Sequence, residues 1–308
     1  MIVVLTGGTG GAKLIEGLAA EIDPAELTII CNTADDMIVH GLYVSPDVDT
    51  IVYTLAGVNN TSTGWGVKDD SFVVLEQLRR LGNETWFKLG DLDLATHITR
   101  TRLLDEGEKL SAITDRLRRA LGVRSAILPM SNDRVETRLT TAQGEISFQD
   151  FFVKQRGSPA VSAVRFAGVE SSQPAPGVLS AIEHADAVVV CPSNPVTSIG
   201  PILAVPGIRA ALRQCSALVV GVSPIIGNAA ISGPAHKLMT ATSFDASALG
   251  VAQRYADFLD VLLVAEEDKL LGDPIAELNI RCRATDIRMS CHADKRRLAV
   301  EVLASARK

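Results

Sequence analysis

The chain has 308 residues, a formal net charge of −6 and a hydrophobic fraction of 47%. This length and apolar content are sufficient for a sizeable core in one or two domains. The acidic charge and the absence of a long lysine and arginine cluster argue against nucleic acid or an anionic membrane surface as a partner. No apolar run in the sequence approaches the ~20 residues of a membrane span.

The five cysteines are scattered along the chain without metal-ligand spacing. Their odd number argues against a disulfide framework, so we expect reduced thiols and a cytoplasmic location. Met1 leads directly into an apolar run, without the charged segment and cleavage site of a signal peptide. We therefore expect a soluble and unprocessed protein.

A glycine-rich turn follows the first predicted strand. The apolar residues 2–6 predict a buried strand, and the amphipathic pattern that begins near Ala12 predicts a helix. Glycines let the backbone approach a ligand closely, and the N–H groups at a helix start attract phosphate. The predicted phosphate-binding residues are Gly7, Gly8, Thr9, Gly10, Gly11 and Lys13.

This glycine turn departs from two common phosphate-binding motifs. Leu14 stands where a Walker A loop has Ser or Thr, and Lys13 occupies the third glycine position of a dinucleotide-binding fingerprint. A structural turn that binds no ligand is the alternative interpretation. The strand, turn and helix context favours phosphate binding.

The second predicted strand, residues 27–31, ends at Asn32. NAD enzymes carry an acidic residue near this point to bind ribose, so Asn32 departs from their pattern. Asn32 either contacts a base or ribose edge or forms an Asx turn or helix cap. Strands alternating with helices predict an α/β fold with a doubly wound, mostly parallel, Rossmann-like sheet.

Two acidic residues follow in the stretch Ser45-Pro46-Asp47-Val48-Asp49. Hard cations such as Mg²⁺ bind carboxylate oxygens together with substrate phosphates, so Asp47 and Asp49 predict a magnesium site near the glycine turn. Helix capping is the alternative, above all for Asp47, because Asp just after Pro is common in the first turn of a helix. The glycine-punctuated residues 57–68 predict a loop or lid.

A polar cluster lies between two predicted helices, residues 72–81 and 109–121. It extends from residue 88 to His97 and contains Asp91 and Asp93. One of these acids has an alternative role as a helix cap, and His97 by itself is more typical of a structural histidine. The cluster is more polar than a helix start requires, so Asp91 and His97 are candidate site residues.

Two strands in the second half of the chain end in similar polar loops. Residues 187–191 and 217–222 predict buried strands, and the loops 192–201 and 223–228 follow them. Because the carboxyl ends of parallel strands meet at one edge of a sheet, both loops are expected beside the glycine turn. This convergence predicts a nucleotide site. Its candidate residues are Asn32, Ser193, Asn194 and Ser198.

Taken together, these loops resemble those of one family, the 2-phospho-L-lactate transferases that build the deazaflavin coenzyme F420. The matching stretches are colinear over nearly the whole chain, and several are long and unusual. One position differs: Leu92 stands where family members often carry Arg. Any contact of that arginine with the deazaflavin or with phosphate is therefore not expected in this chain. The matching stretches are residues 7–10, 32–34, 45–50, 90–97, 128–131, 148–151, 192–201 and 223–228.

The resemblance implies one α/β domain with an inserted, mainly helical subdomain at about residues 57–122 and a core at about 1–56 and 123–308. It implies transfer of a phosphoryl-linked hydroxy acid from a guanosine diphosphate donor to the primary hydroxyl of the deazaflavin Fo. The resemblance also implies release of GMP and a requirement for Mg²⁺. A homodimer is also expected, because it is the commonest assembly of such enzymes.

The residues already identified suit this chemistry. Transfer to an alcohol requires that the diphosphate be held in line and its charge be neutralised. The glycine turn would hold phosphate, and Mg²⁺ bound by Asp49 and Asp47 would stabilise the leaving GMP. Asp91 or Asp49 would orient the hydroxyl group. The guanosine would be bound by Asn32, Ser193, Asn194 and Ser198.

Two alternative functions share some of these sequence features. The gluconeogenesis-factor proteins are similar in their glycine turn and fold, but act by binding a nucleotide sugar, which requires no paired carboxylates near the diphosphate. An NAD(P) oxidoreductase is disfavoured by Lys13 and Asn32. The sequence leaves the lactyl, enolpyruvyl and glyceryl donors open, because they differ by only a few atoms.

Overall fold

The computed structural model describes residues 1–227, 229–231 and 233–307. We number their strands and helices in chain order. The strands are β1 (Ile2–Thr6), β2 (Leu27–Cys31), β3 (Met37–Val39), β4 (Leu42–Val44), β5 (Ala126–Pro129), β6 (Glu136–Thr141), β7 (Gly144–Ser147), β8 (Val161–Ala167), β9 (Ala187–Val190), β10 (Leu218–Val222), β11 (Ile225–Ile226), β12 (Ala229–Ala230), β13 (Val261–Val264) and β14 (Arg281–Ala284). The helices are α1 (Gly8–Glu21), α2 (Pro46–Leu55), α3 (Val73–Arg80), α4 (Asp91–Asp105), α5 (Leu110–Ala120), α6 (Val178–Glu183), α7 (Ile199–Ala204), α8 (Ile208–Gln214), α9 (Ala235–Ala241), α10 (Ala248–Tyr255), α11 (Gly272–Ala276) and α12 (His292–Ser305).

Seven strands form the central sheet in the order β14-β13-β10-β9-β1-β2-β5. Each neighbouring pair is parallel. From β1 the chain passes to β2 and β5 on one side, and it later builds the other side from β9 outward. The order of the strands therefore reverses between β1 and β9, and ligands of such sheets bind at the carboxyl ends beside this point.

Helices cover both faces of the central sheet. Successive residues of a strand point to opposite faces, and accordingly Val3 and Leu5 of β1 join one hydrophobic core while Val4 joins the other. Helices α6, α7, α8 and α10 contribute to the first core, and α1, α2 and α12 to the second. This arrangement explains the nearly continuous apolar strands and confirms the predicted doubly wound α/β fold.

Smaller elements surround the sheet. Strands β6 and β7 form an antiparallel hairpin, which β8 extends. Residues 57–122 contain α3, α4 and α5 and a single bridge between Asn59 and Val67. The division into a core and an inserted subdomain stays a prediction. Asn228, the last residue of the predicted loop 223–228, lies outside the described residues.

The hydrophobic segments of the described chain lie in the strands and helices of this fold. Within the described ranges, every helix is too short or too polar to cross a lipid bilayer.

The first and last helices pack closely against each other. A Cβ added to Gly17 of α1 would overlap the carbonyl oxygen of Lys295 in α12. The Lys295 ammonium group lies 2.6 Å from Glu16, and the Arg296 guanidinium lies 2.6 Å from Glu21. Close approach of the two backbones therefore depends on a glycine at position 17.

We expect Gly17→Ala to lower the free energy of unfolding by about 1–3 kcal/mol, because the added methyl group must push α12 away from α1. The matched control is Gly272→Ala, since a Cβ at Gly272 meets no atom within 4 Å. Alanine there is expected to leave stability unchanged or raise it by up to about 1 kcal/mol. Urea unfolding measures both, and a Gly17→Ala protein as stable as wild type would contradict the packing argument.

Candidate active site

A cavity of about 530 Å³ opens at the carboxyl ends of the central strands. The loops after β1, β2, β9 and β10 line it, together with α2 and the first half of α4. Further lining residues come from the segments 65–66, 86–88 and 148–156. The cavity thus lies where the strand order reverses, which is the ligand-binding position of doubly wound sheets.

The glycine turn forms the part of the cavity that follows β1. Helix α1 begins at Gly8, and its N-cap residue Gly7 has no side chain to cap the first turn, whose N–H groups have no partner within the helix. Gly8 has a φ of +66°, which glycine adopts without strain. A Cβ at Gly7 would lie 2.6 Å from Asp47 Oδ2 and 2.8 Å from Ser198 Cβ. The close approach of these three segments therefore requires glycine.

Asn32 connects two buried carboxylates. Its Nδ2 donates to Asp35 Oδ2 at 3.0 Å and to Asp47 Oδ2 at 2.9 Å. Its Oδ1 accepts a hydrogen bond from the Ala34 N–H at 2.9 Å, which forms the Asx turn considered as an alternative. Asn32 is fully buried and does not line the cavity. We therefore replace its predicted contact with guanosine by a role in holding Asp35 and Asp47.

Buried negative charge is concentrated near this edge of the sheet. Burial raises the pKa of Asp47 to about 6, although the hydrogen bond from Asn32 lowers it. Burial and the charge of Asp47 raise the pKa of Asp35 well above its usual range, and burial also raises the pKa of Asp36. A cation would relieve this charge. The buried aspartates of the group are Asp35, Asp36, Asp47, Asp49 and Asp93.

Asp49 and Arg100 form a buried ion pair. Within the described ranges, Arg100 of α4 is the only arginine or lysine that is buried. Its Nη1 donates to Asp49 Oδ2 at 3.1 Å, and its Nη2 donates to Asp49 Oδ1. Two N–H donors that face two carboxylate oxygens fix the orientation of the carboxylate.

His97 lies between two of these carboxylates. Its Nδ1 is 3.7 Å from Asp49 Oδ2, and its Nε2 is 3.2 Å from Asp93 Oδ1. The Tyr53 hydroxyl donates to Asp93 Oδ1 at 2.7 Å. Burial by itself raises the pKa of Asp93, but the nearby His97 imidazole and the hydrogen bond from Tyr53 outweigh burial and lower that pKa. All four side chains line the cavity and form one connected polar wall.

The two acids predicted to bind Mg²⁺ have different partners. Residues two positions apart on a helix do not face each other. Asp47 accordingly faces the glycine turn and Asn32, whereas Asp49 faces Arg100. In the part of the chain that the structure describes, no group of three or more His, Cys, Asp or Glu side chains is arranged to hold a metal ion.

Aromatic side chains form another wall of the cavity. The rings of Phe148 and Phe152 are stacked, with centroids 5.5 Å apart and an angle of 10° between their planes. Trp86 lines the cavity as well, and Lys88 and Arg156 add positive charge. Flat apolar surfaces of this kind suit a planar ring, with a polar handle nearby.

Most residues predicted from the sequence meet at this cavity. The Gly7 N–H donates to Ser193 Oγ at 3.3 Å, so the loops after β1 and β9 are in contact. Their individual roles in substrate binding stay predictions. The predicted residues that line the cavity are Gly7, Gly8, Thr9, Gly10, Asp47, Asp49, His97, Ser193, Asn194 and Ser198.

Gly11 and Lys13 lie outside the cavity lining. A Cβ at Gly11 would overlap Thr6 Oγ1, so glycine is needed here for packing of the turn. Lys13 is exposed, because the helical period that turns Leu14 and Ile15 towards the core turns residue 13 towards solvent. The phosphate contact of Lys13 stays a prediction that the cavity lining does not support.

Asp91 is also outside the cavity, and its carboxylate caps a helix. It accepts a hydrogen bond from Ser71 Oγ at 2.6 Å and from two N–H groups at the start of α3 at 2.9 and 3.0 Å. Asp70 in turn accepts hydrogen bonds from two N–H groups in the first turn of α4, at 2.7 and 3.0 Å. Because these oxygens are occupied, we withdraw the predicted catalytic and substrate-binding roles of Asp91.

Arg100 is a residue of the site that was not predicted from the sequence. One signal was available: Arg100 comes three residues after His97, and this spacing places both on one face of a helix. The stacked pair Phe148 and Phe152 is four residues apart and gives the same kind of signal. Trp65 and Trp86 occur in irregular segments, where no periodicity predicts the direction of a side chain.

These features define a class of protein: a doubly wound α/β protein with a glycine turn and an acidic, aromatic-lined cavity at the strand switch point. Comparison with protein families matches residues 2–304 to the family described as 2-phospho-L-lactate transferase CofD. The chain belongs to this family, and it is a transferase. The resemblance inferred from the loops is thus confirmed, and the match disfavours the nucleotide-sugar-binding and NAD(P)-dependent alternatives.

Individual relatives agree with the family match. The chain is 46% identical over 299 residues to the 2-phospho-L-lactate transferase of Methanothermobacter thermautotrophicus, covering 97% of this chain and 96% of the relative. It is 46% identical over 297 residues to the phosphoenolpyruvate transferase of Streptomyces griseus, covering 94% and 93%. A crystal structure of a UPF0052-family protein from Bacillus halodurans shares the fold, with a TM-score of 0.66, 19% identity and 98% coverage of both chains.

We expect Asp91→Ala to destabilise α3 locally, because the first turn of α3 loses its cap. Hydrogen exchange of the α3 amides measures the effect, and exchange there should become faster while exchange in β1 stays unchanged. Asp105→Ala, at the exposed end of α4, is the matched control. Unchanged exchange in α3 would show that Asp91 is not its cap.

Proposed function

We propose that the protein transfers a phospho-hydroxy acid group from a guanosine diphosphate-linked donor to the primary hydroxyl of the deazaflavin Fo, releasing GMP, in coenzyme F420 biosynthesis. The proposal depends on one observation: a single cavity combines a glycine-rich helix start with a stacked aromatic wall. The first feature suits a phosphate and the second a planar ring. A homodimer and a cytoplasmic location are part of the proposal.

The donor is assigned to the part of the cavity that contains the glycine turn. The N–H groups and dipole of α1 attract its diphosphate. Ser193, Asn194 and Ser198, in the loop after β9, offer hydrogen-bonding groups to the guanosine. The relatives named above are a 2-phospho-L-lactate transferase and a phosphoenolpyruvate transferase, so the lactyl and enolpyruvyl donors are both proposed, with the glyceryl analogue as a third.

The acceptor is assigned to the aromatic wall. Phe148 and Phe152 give the deazaflavin ring a stacking surface, and Trp86 adds a second aromatic contact. Asp49 lines the same cavity with its carboxylate held by Arg100. We assign to Asp49 the hydrogen bond that orients the acceptor hydroxyl. Asp47 contacts the glycine turn, which is assigned to the donor, whereas Asp49 lies next to α4.

In the proposed step, the acceptor oxygen forms a bond to the phosphorus atom that carries the hydroxy acid. The bond between that phosphorus and the oxygen of GMP breaks, and GMP leaves with the electron pair. The hydroxyl proton leaves through the hydrogen bond to Asp49. Positioning of the groups and neutralisation of their charge provide most of the catalysis in such transfers.

We propose that Mg²⁺ binds at Asp47 and Asp35 together with the donor phosphates. Asp35 Oδ1 is buried and has no hydrogen-bond partner among the described residues, and the raised pKa of Asp47 indicates uncompensated charge. Mg²⁺ binds through one or two carboxylates, substrate phosphate and water, so it needs no complete protein cage. When bound, it would neutralise charge on the diphosphate and on the leaving GMP. Asp49, predicted as a ligand, is assigned to the acceptor instead.

Turnover tests the proposed function directly. Purified protein is incubated with Fo, Mg²⁺, GTP and a donor-generating guanylyltransferase, with phospholactate, phosphoenolpyruvate or phosphoglycerate in turn, and the product mass is measured. We expect product from at least one donor, and a decrease in kcat of about 100-fold in Asp49→Asn. Asp105→Asn, far along α4, should keep wild-type turnover. No product from any donor would overturn the proposal.

The Mg²⁺ site makes a separate prediction on thermal unfolding. The folded state holds the Asp47 proton more tightly than the unfolded state does, since its pKa rises from 3.8 to about 6. Stability of the metal-free protein should therefore fall as pH rises through this range, and Mg²⁺ should restore more of it at pH 8 than at pH 5.

At ten times its Kd, Mg²⁺ should raise Tm by roughly 2 °C at pH 8. Asp47→Asn should abolish most of this increase, and Asp105→Asn should retain it. An equal Mg²⁺ response in Asp47→Asn and wild type would place the ion elsewhere.

A further inference from the structure

We propose that Arg100 is a positioning residue for the transfer reaction, which acts by holding the Asp49 carboxylate in the orientation that receives the acceptor hydroxyl. Asp49 lines the cavity, whereas Arg100 does not. Arg100 therefore acts on the substrate only through Asp49. The inference rests on the proposed function, because it extends the role given there to Asp49.

The contacts of Arg100 leave it little freedom. Its side chain is fully buried, and it faces both oxygens of Asp49. Nη1 also donates to the Tyr43 carbonyl oxygen at 3.4 Å and lies 3.3 Å from His97 Nδ1. A planar guanidinium that is fixed at several points transmits its own orientation to the carboxylate it binds.

Stability alone does not account for a buried ion pair at this place. Removing two charges from water is costly, and apolar side chains of similar size often stabilise a protein as well or better. Three neighbouring acids accept hydrogen bonds from neutral side chains instead: Asp47 and Asp35 accept from Asn32, and Asp36 accepts from Ser45. The buried arginine is thus placed against the acid assigned to the acceptor hydroxyl.

The ion pair also joins two helices that meet at the cavity. Asp49 is in the first turn of α2, whereas Arg100 is in the second half of α4. The Asp49 orientation consequently depends on where α4 lies relative to α2. A small displacement of either helix would move the carboxylate relative to the acceptor hydroxyl.

A double-mutant cycle tests this inference. We expect Arg100→Met to lower kcat about 100-fold through misplacement of Asp49, with little change in KM for Fo or donor. Arg100→Lys should restore part of kcat, because one ammonium group contacts the carboxylate without fixing both oxygens. In an Asp49→Asn background, Arg100→Met should change kcat by less than about twofold, since no carboxylate remains to be oriented.

A structural role predicts a different pattern, in which both substitutions lower kcat independently and their effects multiply in the double variant. That result would overturn the inference, and so would a wild-type kcat in Arg100→Met. Folding of each variant is followed by circular dichroism and urea unfolding. If Arg100→Met does not fold, the comparison of Arg100→Lys alone and in the Asp49→Asn background gives the same two outcomes.

Arg102→Met is the matched control. Arg102 is on the same helix, but its guanidinium is exposed and pairs with Glu106 four residues later. This variant should keep wild-type kinetics. The wild-type assay separates the two proposals: no turnover by wild type contradicts the proposed function, whereas wild-type turnover with multiplying effects contradicts only the role of Arg100.

Discussion

The parallel alignment of the central strands is the constraint on which the rest of this structure depends. Parallel strands require crossover connections, so their carboxyl ends all reach the same edge of the sheet. The loops after β1, β2, β9 and β10 therefore meet, although Gly7 and Ser193 are 186 residues apart in the chain. Every polar group assigned to the donor follows from this alignment. The helices on both faces keep the strands buried and the loops free to carry polar residues.

The geometry of α2 separates two acids that are only two residues apart in the sequence. Asp47 and Asp49 both lie in the first turn of α2, but a separation of two helical positions turns their side chains apart. One carboxylate joins the glycine turn and Asn32, and the other joins α4 through Arg100. A single short helix can thereby serve the donor and the acceptor at the same time.

Much of this arrangement could be predicted from the sequence, because it depends on local patterns. Apolar runs predicted the strands, and the glycines after β1 predicted the turn. Two predicted site residues lie outside the cavity for a common reason: Asn32 and Asp91 have the right chemistry, but their side chains contact residues from other elements of the fold. Lys13, by contrast, is turned towards solvent by the helical period of α1. Asn32 is occupied by two carboxylates and Asp91 by the start of α3. The partner of Asp49 is 51 residues away on α4, a distance that no local pattern encodes.

The contact between α1 and α12 has a consequence for synthesis of the protein. A chain emerges from the ribosome from its N-terminus, and elements fold when their partners become available. The helix that follows the glycine turn can bury the face around Gly17 only after residues 292–305 have emerged. The central strand β1 likewise waits for β9. The first segment to be translated is therefore among the last to reach its native surroundings, and a nascent chain has to remain soluble with that apolar surface exposed.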